Sequence, residues 1–125
     1  MKTSITLVIA LLTQFAWAQK ITFIQSTSVD SLRKKNPQAV VLDVRTPGEF
    51  SQGHIPGAIN MDVNNPDSDR QYNMLDKQKT YVVVCRTKNR SGVVSNKLVS
   101  NGFTNVYQVV DGMVGWNQNG LRVEK

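Results

Sequence analysis

YVVVCRTKNRSG, residues 81–92, carries three valines straight into the only cysteine of the chain, Cys85, and then three cations, Arg86, Lys88 and Arg90. An apolar run of this kind, ended by polar residues, marks a strand covered on both faces. The polar stretch behind it leads to Ser91 and Gly92 and then to a new apolar stripe, so it reads as a loop that feeds a helix. A lone thiol at that junction is either a small buried hydrophobe or a reactive group.

The same alternation extends in both directions. AVVLDV at 39–44 and the run at 106–110 are further apolar strands, and 21–24 and 58–61 are shorter ones. Between them lie helical signals. Ser26, Thr27 and Ser28 offer caps for a helix over 29–35 that must end before Pro37. Thr46 followed by Pro47 starts a short helix that stops at Gly53. A turn of helix is expected at 71–75, after a loop at 64–70. Val93, Val94, Lys97 and Leu98 pattern a helix over 91–100, which Asn101-Gly102 ends, and 112–119 predicts a terminal helix. Strands alternating with helices predict one α/β domain, a small mostly parallel sheet flanked by helices on both faces. In such sheets reactive groups gather at the carboxyl ends of strands, where Cys85 falls.

The chain has 125 residues and a formal charge of +6. Its first segment, MKTSITLVIALLTQFAWAQ, has Lys2, an apolar run and a small-x-small end at Ala16-Trp17-Ala18, the layout of a signal peptide over 1–18. The domain is then expected over 19–125, in the periplasm or secreted, with no stable membrane anchoring after cleavage. Loss of Lys2 leaves 14 basic against 9 acidic residues. These cations are scattered and no aromatics interleave with them, which argues against a nucleic-acid partner. One cysteine excludes an internal disulfide, and an unpaired thiol is out of place in an oxidising compartment unless it is used.

Three segments resemble the rhodanese family, in that family's order. LDVRTPGEFSQGHIPGAINM (42–61) is similar to its first signature, CRTKNRSG (85–92) to its active-site loop and DGMVGWNQNGLRVE (111–124) to its second signature. The resemblance implies a sulfurtransferase. Cys85 would take a sulfane sulfur from a small anionic donor such as thiosulfate, hold it as a persulfide and pass it to cyanide, a thiol or an acceptor protein. No metal and no organic cofactor is implied. The alternatives are a periplasmic sulfur carrier and a non-enzymatic binding module. A phosphatase of this fold needs arginine six positions after the cysteine, where this chain has Ser91.

The loop suits the implied chemistry. A strand-to-helix loop can turn successive N–H groups toward one centre, and a helix N-terminus adds roughly half a positive charge. Together with Arg86, Lys88 and Arg90 these should favour a thiolate, carried on the loop rather than in the core. Arg86, Lys88 and Arg90 are the expected donor-binding groups, with solvated surface charge as the bland alternative. Thr87 and Asn89 are expected to shape the loop, and Ser91 to cap the helix. Many loops of the family have glycine where this chain has Lys88, and Asn89 is the residue expected to take a positive φ in its place. Glu49 is the expected ion-pair partner of Arg45. His54 is expected to pack in a loop, and Phe50 and Trp116 to sit in the core.

Overall fold

The computed structural model describes residues 20–125, so the expected leader lies outside the described residues. The strands are β1 (Ile21–Ile24), β2 (Val40–Asp43), β3 (Ile59–Asn60), β4 (Thr80–Val84) and β5 (Asn105–Val109). The helices are α1 (Val29–Lys35), entered through a 3-10 turn at Ser26–Ser28, then α2 (Pro47–Gln52), α3 (Ser68–Asn73), α4 (Asn89–Ser100) and α5 (Gly112–Gln118). One five-stranded sheet runs β1-β5-β4-β2-β3, and every pairing in it is parallel.

β4 lies at the centre of the sheet and all its residues are buried. Side chains alternate across a strand, so β4 feeds two cores. Tyr81, Val83 and Cys85 join Leu42, Val44 and Val106 under α3 and α4, which contribute Tyr72, Val94 and Leu98. Val82 and Val84 join Val41 and Val109 on the opposite face, against Val29 of α1 and Met113 and Trp116 of α5. That two-sided burial is why the strands read as unbroken apolar runs.

The capping signals at 46–49 act as written. The Thr46 side chain accepts from the Glu49 N–H, the Glu49 carboxylate answers at the Thr46 N–H, and Pro47 opens α2. Two helix starts differ from expectation. α3 begins at Ser68, ahead of residue 71. The Asn65 side chain accepts from the Asp67 N–H at 2.9 Å, and the Asn65 carbonyl from the Ser68 N–H at 2.9 Å, so a side-chain-built turn launches the helix early. α4 begins at Asn89 and not at Ser91, because the Lys88 carbonyl already accepts from the Gly92 N–H at 2.9 Å. Ser91 is therefore the third residue of the helix and no cap. Lys88 holds the cap position without a side-chain cap bond.

Candidate active site

Cys85 is the first residue beyond β4, and the strand's alternation still governs it. Its side chain follows Tyr81 and Val83 to the α4 face and leaves the residue 1% exposed. The expectation of a thiol standing on the loop is thus corrected: the strand's own periodicity drives the sulfur inward. Its Sγ lies 3.3 Å from the Ser91 Oγ.

The loop behind it is held by its carbonyls. The Cys85 and Arg86 carbonyls accept from the Met113 and Val114 N–H groups of α5, at 2.9 and 3.0 Å. This close approach requires glycine at 112. Its φ is +58°, and a Cβ there would lie 2.4 Å from both the Arg86 and Thr87 carbonyl oxygens. A trans peptide that turns its carbonyl to one side turns the next N–H to the other. The Arg86 and Thr87 N–H groups therefore face away from α5, toward the side the cysteine takes. The N–H groups of residues 86–91 find no acceptor among the described residues. Consecutive free donors at the start of a helix are the kind of group that binds an anion.

The charges are arranged differently from expectation. Arg86 and Lys88 are exposed and pair with no carboxylate among the described residues. Arg86 also borders a cleft of about 440 Å³ shared with Glu49, Gln52, Met113 and Asn117. Arg90 grips Glu49 through two bonds, of 2.6 and 2.9 Å. The Arg90 guanidinium holds the Glu49 carboxyl down to about 2 from its ordinary 4.5. In return Glu49 raises the pKa of Arg90, with smaller electrostatic contributions from Cys85 and Asp43. Glu49 thus takes Arg90, and Arg45 goes elsewhere: its Nε and Nη2 donate to Asp43 at 3.0 and 2.7 Å. The helical i, i+4 rule fails for Arg45 and Glu49 because Arg45 precedes α2. The turn at Arg45 also brings its N–H to the Asp43 carboxylate at 3.1 Å. That buried pair braces the carboxyl end of β2, as a desolvated charge requires.

Thr87 and Asn89 are exposed. Asn89 does not take a positive φ, nor does any other non-glycine described residue. Lys88 instead adopts φ −141° and ψ −11°, open to any side chain, so the loop closes without a left-handed residue. His54 stacks on Phe50 with ring centroids 3.6 Å apart, and its Nδ1 lies 2.9 Å from the Phe50 carbonyl. Trp116 is 1% exposed, in the core, whereas Phe50 is only half-buried. Among the described residues no group of three His, Cys, Asp or Glu side chains could hold a metal ion.

One residue at the site escaped the sequence reading. Gln108, 5% exposed on β5, reaches the Lys88 carbonyl and the Ser91 Oγ at 3.0 and 3.3 Å. The available signal was a polar residue at an inward position of VYQVV, since a buried amide needs partners.

The family model described as "Rhodanese-like domain" matches residues 27–119. The chain is 40% identical over 90 residues to "Thiosulfate sulfurtransferase 16, chloroplastic" of Arabidopsis thaliana, covering 64% of this chain and 75% of that protein. It is 38% identical over 94 residues to "Senescence-associated protein DIN1" of Raphanus sativus, covering 67% of this chain but only 51% of that relative. A crystal structure of a rhodanese-related protein from Thermoplasma volcanium superimposes with a TM-score of 0.72 at 28% identity, over 82% of this chain and 97% of that one. The chain belongs to the rhodanese-like domain family.

Proposed function

We propose that this chain is a sulfurtransferase that moves a sulfane sulfur from thiosulfate, or a similar small anionic donor, through a persulfide on Cys85. The Cys85 thiolate attacks the outer sulfur of thiosulfate. The new S–S bond forms as the old one breaks, sulfite leaves with its electron pair, and Cys85 carries S–S⁻. An acceptor then attacks the outer sulfur. Cyanide departs as thiocyanate, a thiol or acceptor protein as its own persulfide, and the thiolate returns. The proposed leader would place this chemistry in the periplasm or outside the cell.

The observation that carries this reading is the row of six N–H groups, residues 86–91, without an acceptor among the described residues. Unpaired donors beside the cysteine suit a group that gains negative charge and a second sulfur. The Arg86 and Thr87 peptides are turned toward the cysteine's side by α5, so no reorganisation is needed when the charge arrives. Arg86 and Lys88, exposed and without carboxylate partners, suit attraction of a dianion. Arg90 is engaged by Glu49 and acts as a fixed charge near the sulfur rather than a free hand for the donor. At 1% exposure, the thiol must be uncovered before a donor can reach it.

A second reading, a non-enzymatic rhodanese-like module, is favoured by one observation: at 1% exposure Cys85 packs as a core cysteine does. One experiment separates the two. Purified protein is incubated with thiosulfate and analysed by mass spectrometry, then given cyanide and assayed for thiocyanate. Sulfur transfer predicts a gain of ~32 Da on Cys85 that cyanide removes as thiocyanate, with neither signal in Cys85→Ser. No gain of mass and no thiocyanate from the wild-type chain would leave the binding module.

A further inference from the structure

We infer that Gln108 is a positioning residue for Cys85, acting through the Ser91 hydroxyl; the inference rests on the proposed ionised state of Cys85. Gln108 pairs with Val83 across β5 and β4, two residues before Cys85 and on the same face of the sheet. Its amide orientation is forced. The group 3.0 Å from the Lys88 carbonyl oxygen must be the NH2, since a carbonyl only accepts.

Ser91 is fully buried, and its single hydrogen has two possible destinations. With a neutral thiol, the Cys85 Sγ donates to the Ser91 Oγ at 3.3 Å, and the hydroxyl donates to the Lys88 carbonyl at 3.2 Å. Once the sulfur loses its proton it can only accept. The hydroxyl must then rotate from the Lys88 carbonyl to the sulfur, or leave a buried charge without its nearest side-chain donor. Gln108 makes that rotation cheap. Its Nε2 and the Gly92 N–H, at 3.0 and 2.9 Å, keep the Lys88 carbonyl satisfied when the hydroxyl departs. Nε2 also donates to the Ser91 Oγ at 3.3 Å, which polarises the O–H toward the sulfur. The separate Nε2 bond to the Lys88 carbonyl also holds that peptide in place. The packing is close: a Cβ at Gly92 would lie 3.4 Å from the Gln108 Nε2.

The test is alkylation of Cys85 by iodoacetamide, without any sulfur donor, in wild type, Gln108→Met, Ser91→Ala and the double variant. Gln108→Met keeps the side-chain length and loses the donor. It should slow alkylation near neutral pH about fivefold, the size of one hydrogen bond between neutral groups. In strong alkali, where the thiol is ionised in every variant, the rates should be equal. Within the Ser91→Ala background Gln108→Met should have almost no further effect, since the route through the hydroxyl is already gone. Equal slowing in both backgrounds, slowing that persists in strong alkali, or no slowing at all overturns the inference. Should Gln108→Met not fold, Gln108→Asn, too short to reach the Lys88 carbonyl, serves under the same criteria. Because alkylation needs no sulfur transfer, the role of Gln108 is decided even in a chain that makes no thiocyanate.

Discussion

Glu49→Gln removes the one carboxylate that engages Arg90, and its effect on stability has a calculable pH dependence. The folded Glu49 pKa is about 2 against an ordinary 4.5, chiefly because of the Arg90 bonds. That drop, from 4.5 to about 2, corresponds to ~3.4 kcal/mol at most. Both side chains are 29% exposed, so solvent screens the pair, and about 1–2 kcal/mol is the realistic contribution. The sign follows from the direction of the shift. The folded pKa is depressed, so the stabilisation is complete above the unfolded value near 4.5 and is lost as pH falls toward 2. Urea unfolding of wild type and Glu49→Gln should therefore differ by about 1–2 kcal/mol near neutral pH, equivalent to roughly 5–10 °C in Tm for a domain of this size. The curves should converge by about pH 2. A difference that stays constant from neutral pH to about 2, or no difference at any pH, would refute the assignment of that carboxylate to Arg90.

Three further outcomes follow from the geometry. Gly112→Ala puts a Cβ 2.4 Å from two loop carbonyls at φ +58°, so thermal melts should show a loss of about 2–4 kcal/mol and thiosulfate-dependent thiocyanate release should vanish even below the melting range. Arg86→Ala should raise KM for thiosulfate several-fold with little change in Tm, since Arg86 is exposed and unpaired among the described residues; Arg90→Ala should instead lower Tm, and steady-state kinetics beside melts would expose a reversal of that pattern. Trp116→Ala removes a side chain 1% exposed whose Nε1 donates to the Arg122 carbonyl at 3.0 Å, and denaturant unfolding should register about 3–5 kcal/mol.

The N–H groups of residues 86–91 make no bond within the described protein, yet the thiol itself is enclosed. The two facts belong together. A concavity of amides works on charge only if bulk water is kept out, because in a low dielectric each donor counts for more.

Local signals were enough for most of the framework. The apolar runs at 39–44 and 81–84 could only be strands covered on both faces, and they are β2 and β4. Thr46-Pro47 and Asn101-Gly102 mark helix ends by chemistry that acts within a few residues, so they needed no knowledge of the fold. The motif order around Cys85 was equally plain. Partner choice was not legible. Glu49 lies four residues from Arg45 and 41 from Arg90, and it takes the distant one because α2 sets its carboxylate across from the start of α4. The same holds for the burial of Cys85, which depends on a strand's alternation running one residue past its last ladder bond, and for the loop carbonyls held by α5 from 28 residues further along the chain. Hydrogen bonds within a turn are written in adjacent residues. Which charges meet, and which donors are left over, is decided only when the sheet brings distant segments within 3 Å.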